Sequence, residues 1–160
     1  MAETHFAAEN YTGQASRRRV GLIGSIVLAM TLAGCGVGES SSGTDPLVID
    51  GTYNDNFGCV QTITSSTWTT STSSSCGGIF HIAFYSNEFE YLAAQNDPSN
   101  SFDASLWSRF DWVTAQGHLY YCQTAFSAAT EAAALATARS DDSDPGASGC
   151  GGAFEWTQLN

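Results

Sequence analysis

Asp141, Asp142 and Asp144 form the densest set of oxygen ligands in this 160-residue chain. Carboxylates are the ligands of hard cations, so the acidic loop is a candidate site for Ca2+. Pro145 stands where an EF-hand would need further ligands and its loop glycine, and a simply solvated loop is the competing reading. His81 and His118 could meet across neighbouring strands and, with Asp111, form an acid–base group. Histidines packed or solvated beside aromatic residues are the plainer expectation. Gly146-Ala147-Ser148-Gly149 lacks the G-x-S-x-G spacing and does not lie between a strand and a helix, so it makes no nucleophile elbow. No catalytic residues are assigned, and non-enzymatic binding of a ligand or partner is the leading expectation. A secreted hydrolase of unrecognised type and a structural surface protein are the alternatives.

Aromatic side chains are the richest chemical feature. Most must be core, but Trp68, Trp107, Trp112 and Tyr120 are candidates to line a pocket for an apolar ligand or a sugar ring. Asn54-Asp55-Asn56 reads as a turn, since Asx side chains bond their own backbone.

Apart from Cys35, four cysteines remain: Cys59, Cys76, Cys122 and Cys150. An even count in an oxidising compartment implies two disulfides, for which three pairings exist. Short loops close at the smallest entropy cost, which favours Cys59 with Cys76 and Cys122 with Cys150. There is no C-x-x-C pair, and neither His81 nor His118 is at ligand spacing from a cysteine, which argues against a cysteine metal site.

The elements that must position these groups are mostly strands. From Leu47 onward the chain is rich in Thr, Val, Ile and aromatic residues, punctuated by Gly, Asn, Asp and Ser. Strands are expected at 52–53, 59–64, 67–72, 79–85, 88–93, 108–114, 118–123 and 154–159. In the sixth, Phe110 and Trp112 fall on one face and Arg109 and Asp111 on the other. Gln116-Gly117 marks a tight hairpin. The alanine-rich stretch Ser127 to Ala138 reads as one late α-helix capped by Ser127. The fold class is therefore mainly β: a small antiparallel barrel, lipocalin-like, or a β-sandwich.

The first residues read as a secretion leader. Arg17, Arg18 and Arg19 precede the apolar run Val20 to Leu32, a charged segment and a hydrophobic segment of signal-peptide length. The run stops short of the roughly 20 apolar residues that a membrane-spanning helix needs. Its end, Leu32-Ala33-Gly34-Cys35, resembles the lipobox of bacterial lipoproteins. That resemblance implies cleavage before Cys35, diacylglycerol on its thiol, and a chain held by two or three acyl chains, enough for stable attachment. Gly36 follows where family members kept at the inner membrane usually carry Asp, which implies an outer-membrane address, with periplasmic and surface-facing placements both open. Ser16-Arg17-Arg18-Arg19 leaves export by the general or the twin-arginine route undecided. The organisation follows: residues 1–34 a signal peptide, 35–46 the lipidated cysteine and a tether poor in apolar residues, and 47–160 one β-rich domain.

Beyond the leader the chain has two arginines, no lysine and fourteen acidic residues, a net charge of −12. Such a body repels phosphate backbones, so no nucleic-acid partner is expected, and it stands off from anionic head groups. The membrane is met through the anchor alone, and a small-molecule or protein partner is left open. The stretch from Gln95-Asn96-Asp97 through Ser108-Arg109-Phe110-Asp111-Trp112, then Leu119-Tyr120-Tyr121-Cys122-Gln123-Thr124-Ala125-Phe126 and Gly149-Cys150-Gly151-Gly152, resembles a group of uncharacterised bacterial lipoproteins. The resemblance implies no activity, but it supports a Cys122–Cys150 link, since both lie within its motifs.

Overall fold

Segments that alternate β-branched or ring side chains with polar ones fit a pleated surface, and here they form eight strands. A computed structural model describes residues 45–71 and 76–160. Its strands are β1 (Gly51–Asn54), β2 (Val60–Ile63), β3 (Thr67–Ser71), β4 (Gly78–Ser86), β5 (Tyr91–Asn96), β6 (Trp107–Ala115), β7 (His118–Ala128) and β8 (Thr157–Leu159). Each pairs antiparallel with the next, in the order β1 to β8. The last strand then meets the first. Asn54 N donates to Asn160 O at 3.0 Å, Asn160 N donates back at 2.8 Å, and Asp55 bridges Leu159. The fold is a nearly closed up-and-down barrel, and the sandwich alternative falls away. Arg17 to Arg19, Cys35 and the expected tether lie outside the described residues.

Alternation sends one set of side chains inward. Ile63, Trp68, Leu92, Phe110 and Trp112 form the interior core, and Trp68 stacks on Phe110 at 4.6 Å. One pole of the barrel is sealed by the segment that leads into β1. Leu47 and Ile49 are buried there, while Tyr85 Oη donates to Asp45 O at 2.8 Å and Asn87 Nδ2 donates to Pro46 O at 2.9 Å.

A second layer covers the outer face of β5, β6 and β7. It consists of the one-turn helix α1 (Glu131–Leu135) and the loop that follows it, which brings Cys150 to Cys122 and Trp156 against Tyr120. Both arginines of the domain hold this layer down. Arg109 Nη1 donates to Leu135 O at 2.8 Å and Thr137 O at 2.6 Å, while its other nitrogens bind the fully buried Asp111 carboxylate. Arg139 reaches Trp112 O at 2.7 Å and Asp142 at 2.8 Å.

Three expected elements differ. The helix is five residues long and capped by Thr130, whose Oγ1 accepts from Ala133 N at 3.1 Å, because Ser127 still belongs to β7, which pairs with β6 as far as Ala128 opposite Trp107. Residues 88–90 form a turn, not the start of β5. Glu90 takes φ 54°, and the carbonyls of Phe89 and Glu90 both accept from Arg139. Phe154 pairs with Cys150 in a tight turn, and the final strand begins only at Thr157.

Candidate functional site

The pole opposite the sealed one is open, and its chemistry starts from one turn. Asp55, between β1 and β2, accepts from Phe57 N at 2.9 Å and Cys59 N at 2.8 Å through Oδ1, so the carboxylate shapes the turn. Its Oδ2 accepts from Gln61 Nε2 at 2.8 Å. Gln61 Oε1 in turn accepts from Trp68 Nε1 and from Thr70 Oγ1, each at 2.8 Å. A polar chain therefore runs from the rim to the core indole, and among the described residues no buried side-chain polar atom is left without a partner. On the facing wall Gln123 Nε2 donates to Ser108 Oγ at 2.9 Å, and Ser108 donates to Asn96 Oδ1 at 2.7 Å. Asn96 spends its amide on the carbonyls of Asp103 and Phe126.

Rings make the floor between these walls. Phe80 meets Phe110 edge-on at 5.0 Å, and Tyr121 leans on Trp68 at 4.8 Å. Phe80, Phe110 and Tyr121, together with Asp55, Gln61 and Gln123, line a depression of about 260 Å³. A smaller one of about 140 Å³ shares Phe80 and Gln123 and is bounded by Phe102 and Phe126. Phe57, Phe102 and Phe126 stand at this pole 61%, 84% and 55% exposed. The Cys59–Cys76 disulfide lies on the rim, its Cα atoms 5.8 Å apart. Burial, with a smaller push from the Asp55 charge, raises the Tyr121 phenol to about 12, so it stays neutral at any physiological pH. A third depression, about 430 Å³, lies outside the barrel among Thr69, Ser71, Ile79 and Asn100 and has no ionisable or aromatic lining.

The four aromatic candidates are split by the barrel wall. Trp68 and Trp112 are inside and fully packed; Trp68 lies beneath the mouth. Trp107 is paired opposite exposed Gln95, and Tyr120 belongs to the outer cluster with Trp156. The groups that do line the mouth and escaped sequence reasoning are Asp55, Gln61 and Gln123. A usable signal existed: Gln61 is in phase with Ile63, and Gln123 with Tyr121, so each polar residue falls on the inward face of its strand.

The other candidates are spread out. Asp142 binds Arg139, and Asp141 accepts from Ser143 N at 3.0 Å, a bond that helps hold its carboxyl below the usual range. Asp144 uses its carbonyl to cap the next turn through Ala147 N and Ser148 N. No three His, Cys, Asp or Glu residues converge as metal ligands among the described residues. His81 and His118 do not meet, because the register sets them on different walls. His81 pairs with Asp97 at 2.8 Å, His118 accepts from Gln158 at 3.0 Å, and Asp111 is held by Arg109. The cysteines join as the short loops favoured, Cys59 to Cys76 and Cys122 to Cys150.

An eight-stranded barrel has an interior that side chains can just fill, and here they fill it up to a mouth lined by rings and amides. Compared with known proteins, the chain matches no family model, no curated protein and no solved structure.

Proposed function

We propose that this chain is a bacterial envelope lipoprotein, anchored through acyl chains on Cys35, whose barrel binds a small molecule at its open mouth without transforming it. The observation that carries the reading is the mouth itself: a floor of phenyl and phenol rings between walls of fixed amides, at the pole away from the segment that enters β1. Rings supply contact area while a few placed polar groups set orientation, which is how small-molecule sites are built. The depression is smaller than the roughly 300–1,000 Å³ of drug-sized sites, so it suits a single ring or a branched head group better than a lipid tail.

The test is a two-dimensional amide NMR titration of the mature protein with monosaccharides, amino alcohols and short amphiphiles. Binding at the mouth moves the signals of Phe57, Gln61 and Gln123 and leaves those of Val48 and Asn87 in place. A panel that moves none of the mouth signals overturns the reading.

A further inference from the structure

Resting on the mouth being a ligand site, we propose that its ligand is a small organic cation, an alkylated ammonium group seated against Phe80, Phe110 and Tyr121 and drawn in by the carboxylates of Asp55 and Asp103. The inference comes from what the mouth has left to offer. Its donors are largely spent on the protein, with one N–H of each glutamine amide and the Tyr121 O–H left over. Gln61 Nε2 serves Asp55, Thr70 Oγ1 and Trp68 Nε1 serve Gln61, Gln123 Nε2 serves Ser108, and Asn96 Nδ2 serves two carbonyls. Its acceptors are not. Gln123 Oε1 and the Asp103 carboxylate take no hydrogen bond from the described residues, and Asp55 Oδ2 takes only one.

Two carboxylates and an open amide oxygen, with no positive side chain beside them, disfavour an anion and favour a cation. No Lys, Arg or His lines either depression among the described residues. Arg109 and Arg139 are tied into the outer layer, and His81 and His118 lie on other walls. Ring faces carry negative quadrupole charge and prefer an alkylated ammonium, whose weakly hydrated methyl groups also fit an apolar floor. The surrounding charge of −12 concentrates cations around the molecule. The raised Tyr121 phenol adds a reporter, since a cation beside it must pull it back toward its ordinary value.

Choline is the probe, and 3,3-dimethyl-1-butanol, the same shape without the charge, is its control. Choline is expected to move the Gln61, Tyr121 and Gln123 signals, to bind about tenfold more tightly than the alcohol, and to weaken as salt is raised. Asp103→Asn keeps the fold, because Asn tolerates the φ of 51° at that position. It should weaken choline several-fold and leave the alcohol unchanged. Equal binding of the two compounds overturns the cation and keeps the mouth as a site. Failure of choline while a neutral sugar binds does the same. Silence of every compound at the mouth overturns both readings.

Discussion

At the scale of single residues, the largest electrostatic commitment in the domain is the Arg109–Asp111 pair. Asp111 is fully buried and accepts from Arg109 and from Thr124 Oγ1 at 2.7 Å, while Arg109 also closes the end of α1 and lies 4.3 Å over the Tyr91 ring. Removing one member strands the other charge in a poor solvent for it. Arg109→Ala should therefore cost about 3–5 kcal/mol by urea unfolding, and Asp111→Asn in the same background should recover part of that. Asp97 behaves differently because it is only partly buried. A hydrogen bond from Ser99 Oγ and then the contact with His81 lower its carboxyl from 3.8 to about 2. A depressed carboxyl stabilises above its unfolded value, and the contribution fades as pH falls from about 4 to about 2. Carboxyl-carbon NMR should place its midpoint near 2, and His81→Ala should move it up by less than Ser99→Ala does. The pairing of Arg109 with Asp111 was foreshadowed by their shared strand face. Which aromatic rings would reach a ligand was not, because that depends on which face of each strand the closed barrel turns inward.

At the scale of elements, the outer layer depends on one covalent link and one glycine. Cys122 sits in β7 and Cys150 in the loop after α1, so their bond closes a span of 28 residues. Replacing both by serine should cost about 3–4 kcal/mol, read from the denaturation midpoint. Gly149, next to it, takes φ 105°, and a Cβ there would drive into the Asp141 carbonyl. Gly149→Ala should destabilise by more than about 1 kcal/mol and expose Trp156, which donates to that same carbonyl and reports by its fluorescence. Local pattern made the middle strands legible: β6 alternates as Phe110 and Trp112 against Arg109 and Asp111, and the hairpin turns at Gln116 and Gly117, both at positive φ. The elements that differed are those fixed from a distance. The 88–90 turn is held by Arg139, and β7 outruns its apolar signal because β6 pairs with it to the end.

For the whole molecule, barrel and sandwich looked alike in sequence because closure rests on a few backbone bonds between residues 54–56 and 158–160, which leave no mark in composition. The charge balance was legible from the start, and the structure gives it direction. With both arginines of the domain drawn into the outer layer, the acidic side chains dominate the surface. Sealed pole, outer layer and open mouth form one arrangement, and the envelope role proposed for it rests on an anchor at Cys35. Intact-mass analysis of native material from the membrane fraction tests that anchor directly. The mature chain is expected to begin at Cys35, to be heavier by a diacylglyceryl group, and to carry both disulfides. A bare Cys35 with residues 1–34 still attached would contradict it.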